Sequence, residues 1–238
     1  VNSRKSVRYG WRGERDTRGD MNWVPTEAID HIEVLRGPAA ARYGNGAAGG
    51  VVNIVTKGTP DKFGASATLY YGKRQHKEEG GERRASFSLA GPISDMLGFR
   101  LTGNIAKTDS DAWDINRGHA STRTGTFAGT FPAGREGVRN RDLDAQLSLR
   151  PNTMHRIDLD ASFSRQGNIY AGDNQNNNFS DFTNSLYGEE TARLKRISNA
   201  LTHEGVWSWG DTKVVAQFDR TENEHLVEGL MGGPEGQY

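Results

Sequence analysis

The sequence predicts a mainly β protein in two parts: a short unit built on a glycine-rich strand–turn–strand block, then about seven strands of an incomplete antiparallel β-barrel of the membrane type. Three observations predict it. Segments of roughly ten residues alternate apolar with strongly polar side chains, as a strand with one face in lipid and the other in water must. The connections between them run short and long by turns, the habit of a barrel with tight turns at one rim and loops at the other. No run approaches the roughly 18 consecutive apolar residues of a spanning helix. That run length excludes a membrane helix, whereas a mean hydropathy of -0.75 is compatible with a membrane barrel, whose strands are half polar.

Composition removes several functions. Lys+Arg and Asp+Glu are equal at 30 each, so no excess of positive charge marks the chain for nucleic acid. With no cysteine there is no thiol nucleophile, no disulfide and no cysteine-held zinc. The N-terminus Val1-Asn2-Ser3-Arg4 has neither an initiator Met nor an apolar signal core, so an exporting segment is expected to have been removed or to lie outside the sequence.

In chain order, residues 1–24 are polar, arginine-rich and carry Trp11 and Trp23, which reads as a long irregular segment. Arg18-Gly19-Asp20 spells an integrin-binding tripeptide, but three-residue matches arise by chance. Pro25 to Ile29 suits one helical turn feeding a strand. His31 to Arg36 then alternates, with Ile32, Val34 and a partly buried Arg36 stem on one side and His31, Glu33 and Leu35 on the other. Pro38 can open a short helical turn through Tyr43 that Gly44 ends. Gly44, Gly46, Gly49 and Gly50 fall within seven positions and permit positive φ or close backbone contact before the β-branched run Val51 to Lys57. A phosphate-cradling reading of these glycines fails on context, because the dinucleotide fingerprint opens a long helix and here the glycines open a strand.

Gly58-Thr59-Pro60-Asp61 breaks the pattern and places a domain boundary between residues 1–57 and 58–238. Phe63 to Gly72 is the first alternating strand. Ala85, Phe87 and Leu89 mark the second, Phe99 to Ile105 the third, Leu143 to Leu149 the fourth and Ile157 to Phe163 the fifth. Ile197, Leu201 and Trp207 suggest a sixth, and Val214, Ala216 and Phe218 a seventh. Leu101, Leu147, Leu159 and Phe163 should face lipid, and Arg100, Gln146 and Asp158 the lumen. The connections are expected at Lys73–Glu82, Gly91–Gly98, Lys107–Arg141, Arg150–His155, Gln166–Arg196 and Trp209–Thr212. The turns at Ser94-Asp95 and Asn152-Thr153 should therefore share one rim, opposite Trp113 and Asp173. Phe63, Phe99, Trp207 and Trp209 fall near the short-turn rim, where an interfacial aromatic girdle belongs.

The block Ile29 to Lys57, IDHIEVLRGPAAARYGNGAAGGVVNIVTK, resembles the C-terminal part of the plug domain of TonB-dependent outer-membrane receptors, with Asp30 where many members have Glu. Gly10-Trp11-Arg12-Gly13-Glu14-Arg15-Asp16-Thr17-Arg18-Gly19-Asp20 is similar to the plug of receptors for ferric enterobactin, a catecholate siderophore. The same resemblance appears in Asp111 to Asn116, Pro132 to Val138 and Ser164 to Asp173. It implies residence in the bacterial outer membrane and uptake of a ferric siderophore, with TonB and membrane lipid as partners. Glu33, Arg36, Gly44, Gly46, Gly49 and Gly50 would then be structural in the plug and against the barrel wall. Plugged transporters close at about 22 strands, so about seven strands read as a fragment: the back of a plug and the first third of a barrel, without the TonB-binding box.

The chemistry left is recognition. The six histidines show no ligand spacing. Asp109, Asp111 and Asp114 lack the central Gly and terminal Glu of an EF-hand loop, and Asp158 with Asp160 is explained by a polar lumen. A ferric catecholate brings its iron already chelated, so no cofactor and no enzyme activity are expected. Its anionic, ring-edged surface calls for cations and aromatic faces, tasks that arginine joins in one side chain. Arg8, Trp11, Arg12, Arg15 and Arg18 form such a set on the plug side. Tyr170 and Tyr187, with Arg193 and Arg196, offer one from a long loop. The same arginines could instead pair with lumen acids. The rival reading is a soluble secreted β-rich adhesin or carbohydrate-binding module.

Overall fold

A single 3₁₀ turn, Thr26–Ala28, leads into a two-stranded antiparallel sheet of β1 (Ile29–Arg36) and β2 (Gly50–Thr56). The structure, a computed structural model, describes residues 26–36, 50–112, 115, 135–169 and 188–225. β2 is the β-branched run the sequence marks, paired so that Val34 faces Val52 and Glu33 faces Asn53. Ile32, Val34, Leu35 and Arg36 are all exposed, so the expected burial of the Arg36 stem is not found. A two-stranded ribbon has no second layer to bury against, and the alternation of β1 has nothing of its own sheet to cover it.

The second sheet has seven antiparallel strands in sequence order: β3 (Gly64–Gly72), β4 (Glu82–Pro92), β5 (Leu97–Thr108), β6 (Gly137–Asn152), β7 (His155–Ile169), β8 (Glu190–Trp207) and β9 (Gly210–His225). Each expected strand is present, and among the described residues β3 and β9 are the outermost strands of the sheet. Because the side-chain period is two, a continuous register assigns every residue to a face. One row runs Ala67, Phe87, Gly103, Leu143, Phe163, Ile197 across six strands. The neighbouring row on the opposite face runs Ser88, Thr102, Asp144, Ser162, Ser198, Asp219.

Burial is inverted with respect to a water-soluble sheet. Leu147, Leu159 and Phe163 are 41%, 46% and 40% exposed, whereas Ser148 and Asp158 are buried, and Thr102, Ser148 and Ser198 are the largest fully buried side chains. Apolar residues outward and small polar residues inward is the wall of a membrane barrel. The faces expected for Leu147, Leu159, Phe163, Gln146 and Asp158 are those observed.

The turns also sort as expected. Arg150 N–H bonds to the Met96 carbonyl at 2.7 Å and Val206 N–H to the Met154 carbonyl at 2.8 Å, so the three short turns lie side by side at one rim. At the other rim Asp109 N–H bonds to the Gly81 carbonyl, and Asp111 N–H to the Arg135 carbonyl, both at 2.9 Å. Trp113 and Asp173 lie outside the described residues.

The strands outrun the expectation on the long-connection side. β6 begins at Gly137 rather than near Leu143, β7 reaches Ile169, and β8 begins at Glu190. Arg193 and Arg196, expected in a loop, are therefore strand residues. The apolar alternation stops at the edge of the hydrocarbon, whereas backbone hydrogen bonding continues several residues past it.

Candidate functional site

The inner face carries acids, each met by a neighbouring strand. Asp142 accepts from Asn104 Nδ2 at 2.8 Å and from Ser164 Oγ at 2.7 Å. Gln146 Nε2 donates to Asp160 at 3.0 Å, and Asp158 accepts from Ser148 and, at 2.9 Å, from Arg156 Nε. These residues alternate with lipid-facing ones along β5, β6 and β7, so the polar wall follows from the same period that builds the apolar band. The wall offers hydrogen-bonding groups to whatever fills the lumen.

At the long-connection rim one carboxylate ties three segments. Asp111, 8% exposed, accepts the Gly80 N–H at 2.9 Å on Oδ1 and the Arg135 N–H at 2.7 Å on Oδ2. Arg135 returns a bond from Nη2 to the Gly80 carbonyl at 2.7 Å and pairs with Asp111 at 3.5 Å. A Cβ on Gly80 would lie 1.8 Å from the Asp109 carbonyl oxygen, so only glycine permits this approach. Asp109 meets Lys107 and, at 3.6 Å, Arg83. Asp109 and Asp111 thus point at separate donors and not at a common ion, and Asp114 lies outside the described residues.

The two sheets touch through the 3₁₀ turn. Glu27 Oε1 accepts from Ser86 Oγ on β4 at 2.6 Å, and Arg100 Nε on β5 donates to the Gly58 carbonyl at 3.0 Å. Glu33 bonds Asn53 Nδ2 at 2.7 Å and His31 Nε2 at 3.4 Å, contacts within its own hairpin. His31 Nδ1 also meets Asp30 Oδ2 at 2.8 Å, and the hydrogen bonds to Asp30 and then Glu33 raise its pKa above the ordinary histidine value. Glu27 is not among the residues the sequence singles out, and an acid in the first turn of the expected helical segment is the signal for it.

Of the residues expected to contact ligand or shape the plug, Arg8, Trp11, Arg12, Arg15, Arg18, Tyr170, Tyr187, Gly44, Gly46 and Gly49 lie outside the described residues. Arg36 and Gly50 are brought together as a β1–β2 pair. Arg193 is held by Glu190 at 2.7 Å and Glu224 at 3.1 Å on the face that carries the apolar band, so it does not line the lumen. The histidines are less scattered than their spacing suggests. His155 and His203 stack with ring centroids 5.4 Å apart, and Trp207 sits edge-on to His155 at 4.8 Å. A cross-strand pair has no sequence spacing to betray it.

Comparison with known proteins fits this architecture. Residues 4–51 match the model of the TonB-dependent Receptor Plug Domain. The chain is 55% identical to the ferric enterobactin receptor of Pseudomonas aeruginosa over 236 residues, covering 99% of this chain and 32% of that protein. It is also 55% identical to the ferrienterobactin receptor of Escherichia coli over 239 residues, 100% of this chain and 32% of that one. A crystal structure of a mutant of the Pseudomonas aeruginosa receptor in complex with enterobactin superposes with a TM-score of 0.84 at 55% identity, covering 99% of this chain and 34% of that one. The chain spans about a third of the length of these relatives. They lend no support to a soluble adhesin or carbohydrate-binding module, and they are named as receptors rather than enzymes.

Proposed function

We propose, for a chain that belongs to the TonB-dependent outer-membrane receptors, that the protein binds a ferric catecholate siderophore of the enterobactin type and passes it across the bacterial outer membrane when TonB acts on the plug. The observation that carries this is identity: 55% over essentially the entire chain to ferric enterobactin receptors from two genera. In this reading residues 1–57 are the back of the plug and 58–238 the first part of the barrel, with Glu27 and Ser86 at their junction. Iron is cargo inside its chelate, so the chain needs no cofactor of its own and catalyses no bond change.

Binding falls to cations and aromatics, because the chelate presents negative charge and ring edges while its iron is already coordinated. Arg8, Trp11, Arg12, Arg15 and Arg18 supply these from the plug, and Tyr170 and Tyr187 from a long connection. Guanidinium groups keep their charge throughout the physiological range and stack on rings as well as bonding to oxygens. Glu33, Arg36 and the glycines Gly44, Gly46, Gly49 and Gly50 shape the plug that carries them.

The test is uptake of radiolabelled iron by cells producing the full-length receptor. Ferric enterobactin should be taken up with TonB present and only bound without it. Uptake of a hydroxamate chelate but not a catecholate would overturn the ligand class, and TonB-independent uptake would overturn the mechanism.

A further inference from the structure

Three rings converge on one glycine at the short-turn rim. Gly205 of β8 lies directly opposite His155 of β7. A Cβ added to it would stand 2.9 Å from Trp207 Nε1, 3.2 Å from His155 Nδ1 and 3.2 Å from His203 Cε1. The bare Cα is what lets the three side chains share that space. All of them are on the outward face, since His203 pairs with Ile157 and the side-chain period is two. Arg156, Glu204 and Lys213 form the next row and belong by the same period to the inward face, where Glu204 and Lys213 pair with each other.

The ring nitrogens are spaced for one shared ion. His155 Nδ1 and His203 Nε2 are 3.3 Å apart, longer than the usual hydrogen bond from N–H to oxygen, about 2.7–3.2 Å. Two zinc–imidazole bonds of about 2.0–2.1 Å opening at a tetrahedral angle put their nitrogens about 3.3–3.4 Å apart and their ring centres about 5 Å apart. The ring centroids here are 5.4 Å apart. An ion with square-planar preference, such as cupric copper, would draw the nitrogens in to about 2.9 Å, so the spacing favours zinc. Trp207 braces the pair: its Nε1–H donates to Thr212 Oγ1 at 2.8 Å while its ring stands edge-on to His155. Among the described residues no third histidine or carboxylate joins the two. Water can reach the remaining positions, because a recess at this rim is bounded by Met154, His155, Gly205 and Thr212.

We propose that His155 and His203 bind a zinc ion between β7 and β8 at the short-turn rim, through Nδ1 of the first and Nε2 of the second, with water completing the tetrahedron. The place suits a clamp. Short turns join β6 to β7 and β8 to β9 at this rim, whereas β7 and β8 are joined only through the long connection at the other end. Here β7 begins and β8 ends, with the bond from Val206 N–H to the Met154 carbonyl between them. An ion held by one imidazole from each strand fixes that free corner of the wall. It takes no part in uptake, and the inference rests on strand register, not on the identity of the siderophore.

The test uses full-length receptor without an affinity tag, in neutral detergent and freed of metal with a chelator, titrated with zinc chloride by isothermal titration calorimetry. Each receptor is first shown to be folded by its migration on unheated gels. H155Q/H203Q should bind one equivalent fewer than the parent. H203Q alone should weaken that site at least ~10-fold, since even the outer-shell partners of metal ligands are worth that much. G205A keeps both imidazoles but puts a carbon among the rings, and it should weaken the site as well. H76Q, at an exposed histidine in the first long connection, should change nothing. If the double variant does not fold, H155Q and H203Q singly carry the comparison. Equal stoichiometry and affinity in the parent and the variants of the pair, or no zinc bound by the parent, would reduce the rings to packing and overturn the proposal. Ferric enterobactin binding, measured on the same samples, should be unchanged throughout, so failure of the zinc site is distinguishable from failure of the receptor reading.

Discussion

Ser86 Oγ, on the inner face of β4, donates a 2.6 Å hydrogen bond to Glu27 Oε1 in the turn that opens the hairpin sheet. The bond joins the two sheets through residues 59 apart in sequence. Hydrogen bonds to a charged acceptor contribute about 1.5–3 kcal/mol. Glu27→Ala and Ser86→Ala in the full-length receptor should therefore each raise hydrogen exchange of residues 26–36. A double-mutant cycle should give a coupling of about 1 kcal/mol or more. Strict additivity would show that the plug is held without this contact.

The Asp111 tie makes a second prediction. Its two oxygens each accept a backbone N–H, from Gly80 and Arg135. Asp111→Asn keeps one acceptor and orphans one buried donor, at a cost of about 1–3 kcal/mol. Gly80→Ala forces a backbone displacement, since the added carbon would overlap the Asp109 carbonyl. Both variants should open the long-connection rim to added protease in reconstituted membranes, and Gly80→Ala should do so more. Unchanged cleavage in both would mean the loops are ordered from elsewhere.

Both contacts show where sequence reading ends. The period of two placed Leu147, Leu159 and Phe163 outward and Asp158 inward, because a barrel wall has only two environments and each strand must alternate between them. Apolar alternation by itself ends each strand near its last apolar residue. By that signal Arg193 falls in a loop, whereas hydrogen bonding carries β8 back to Glu190. Glu27 with Ser86, and His155 with His203, were illegible for another reason: cross-element pairs depend on register, and one chain's spacing does not contain the register of its partner.

His31 gives a pH prediction. Its pKa is raised above 6.5 first by the hydrogen bond to Asp30 and then by that to Glu33. A raised value in the folded state means the protonated form is the stabilised one. The contribution is complete below pH 6.5 and is lost as pH rises through the folded value. Histidine C2-proton exchange measured by mass spectrometry should place the His31 midpoint above 6.5. Asp30→Asn should lower it more than Glu33→Gln. A midpoint at the ordinary value in the parent receptor would remove the pairing.

The last prediction concerns which arginines hold the ligand, and magnitudes decide it. Two unit charges about 4 Å apart attract by roughly 1 kcal/mol in bulk water and roughly 4 kcal/mol at the effective dielectric near a protein surface. Enclosure therefore counts for more than the number of cations. Arg74 is exposed in the first long connection, in a stretch that also carries Glu78 and Glu79, so its field is screened and partly cancelled. Arg12 and Arg15 belong to the segment that matches the plug-domain model, and the proposed function requires that segment to meet the ligand. Arg12→Ala or Arg15→Ala in the full-length receptor should weaken ferric enterobactin binding about tenfold or more, the equivalent of about 1.4 kcal/mol, and Arg74→Ala should leave it within about twofold. Ligand-induced quenching of tryptophan fluorescence, titrated on receptors shown to be folded, measures all three. Equal affinities would move the binding site off the plug and onto the outer loops.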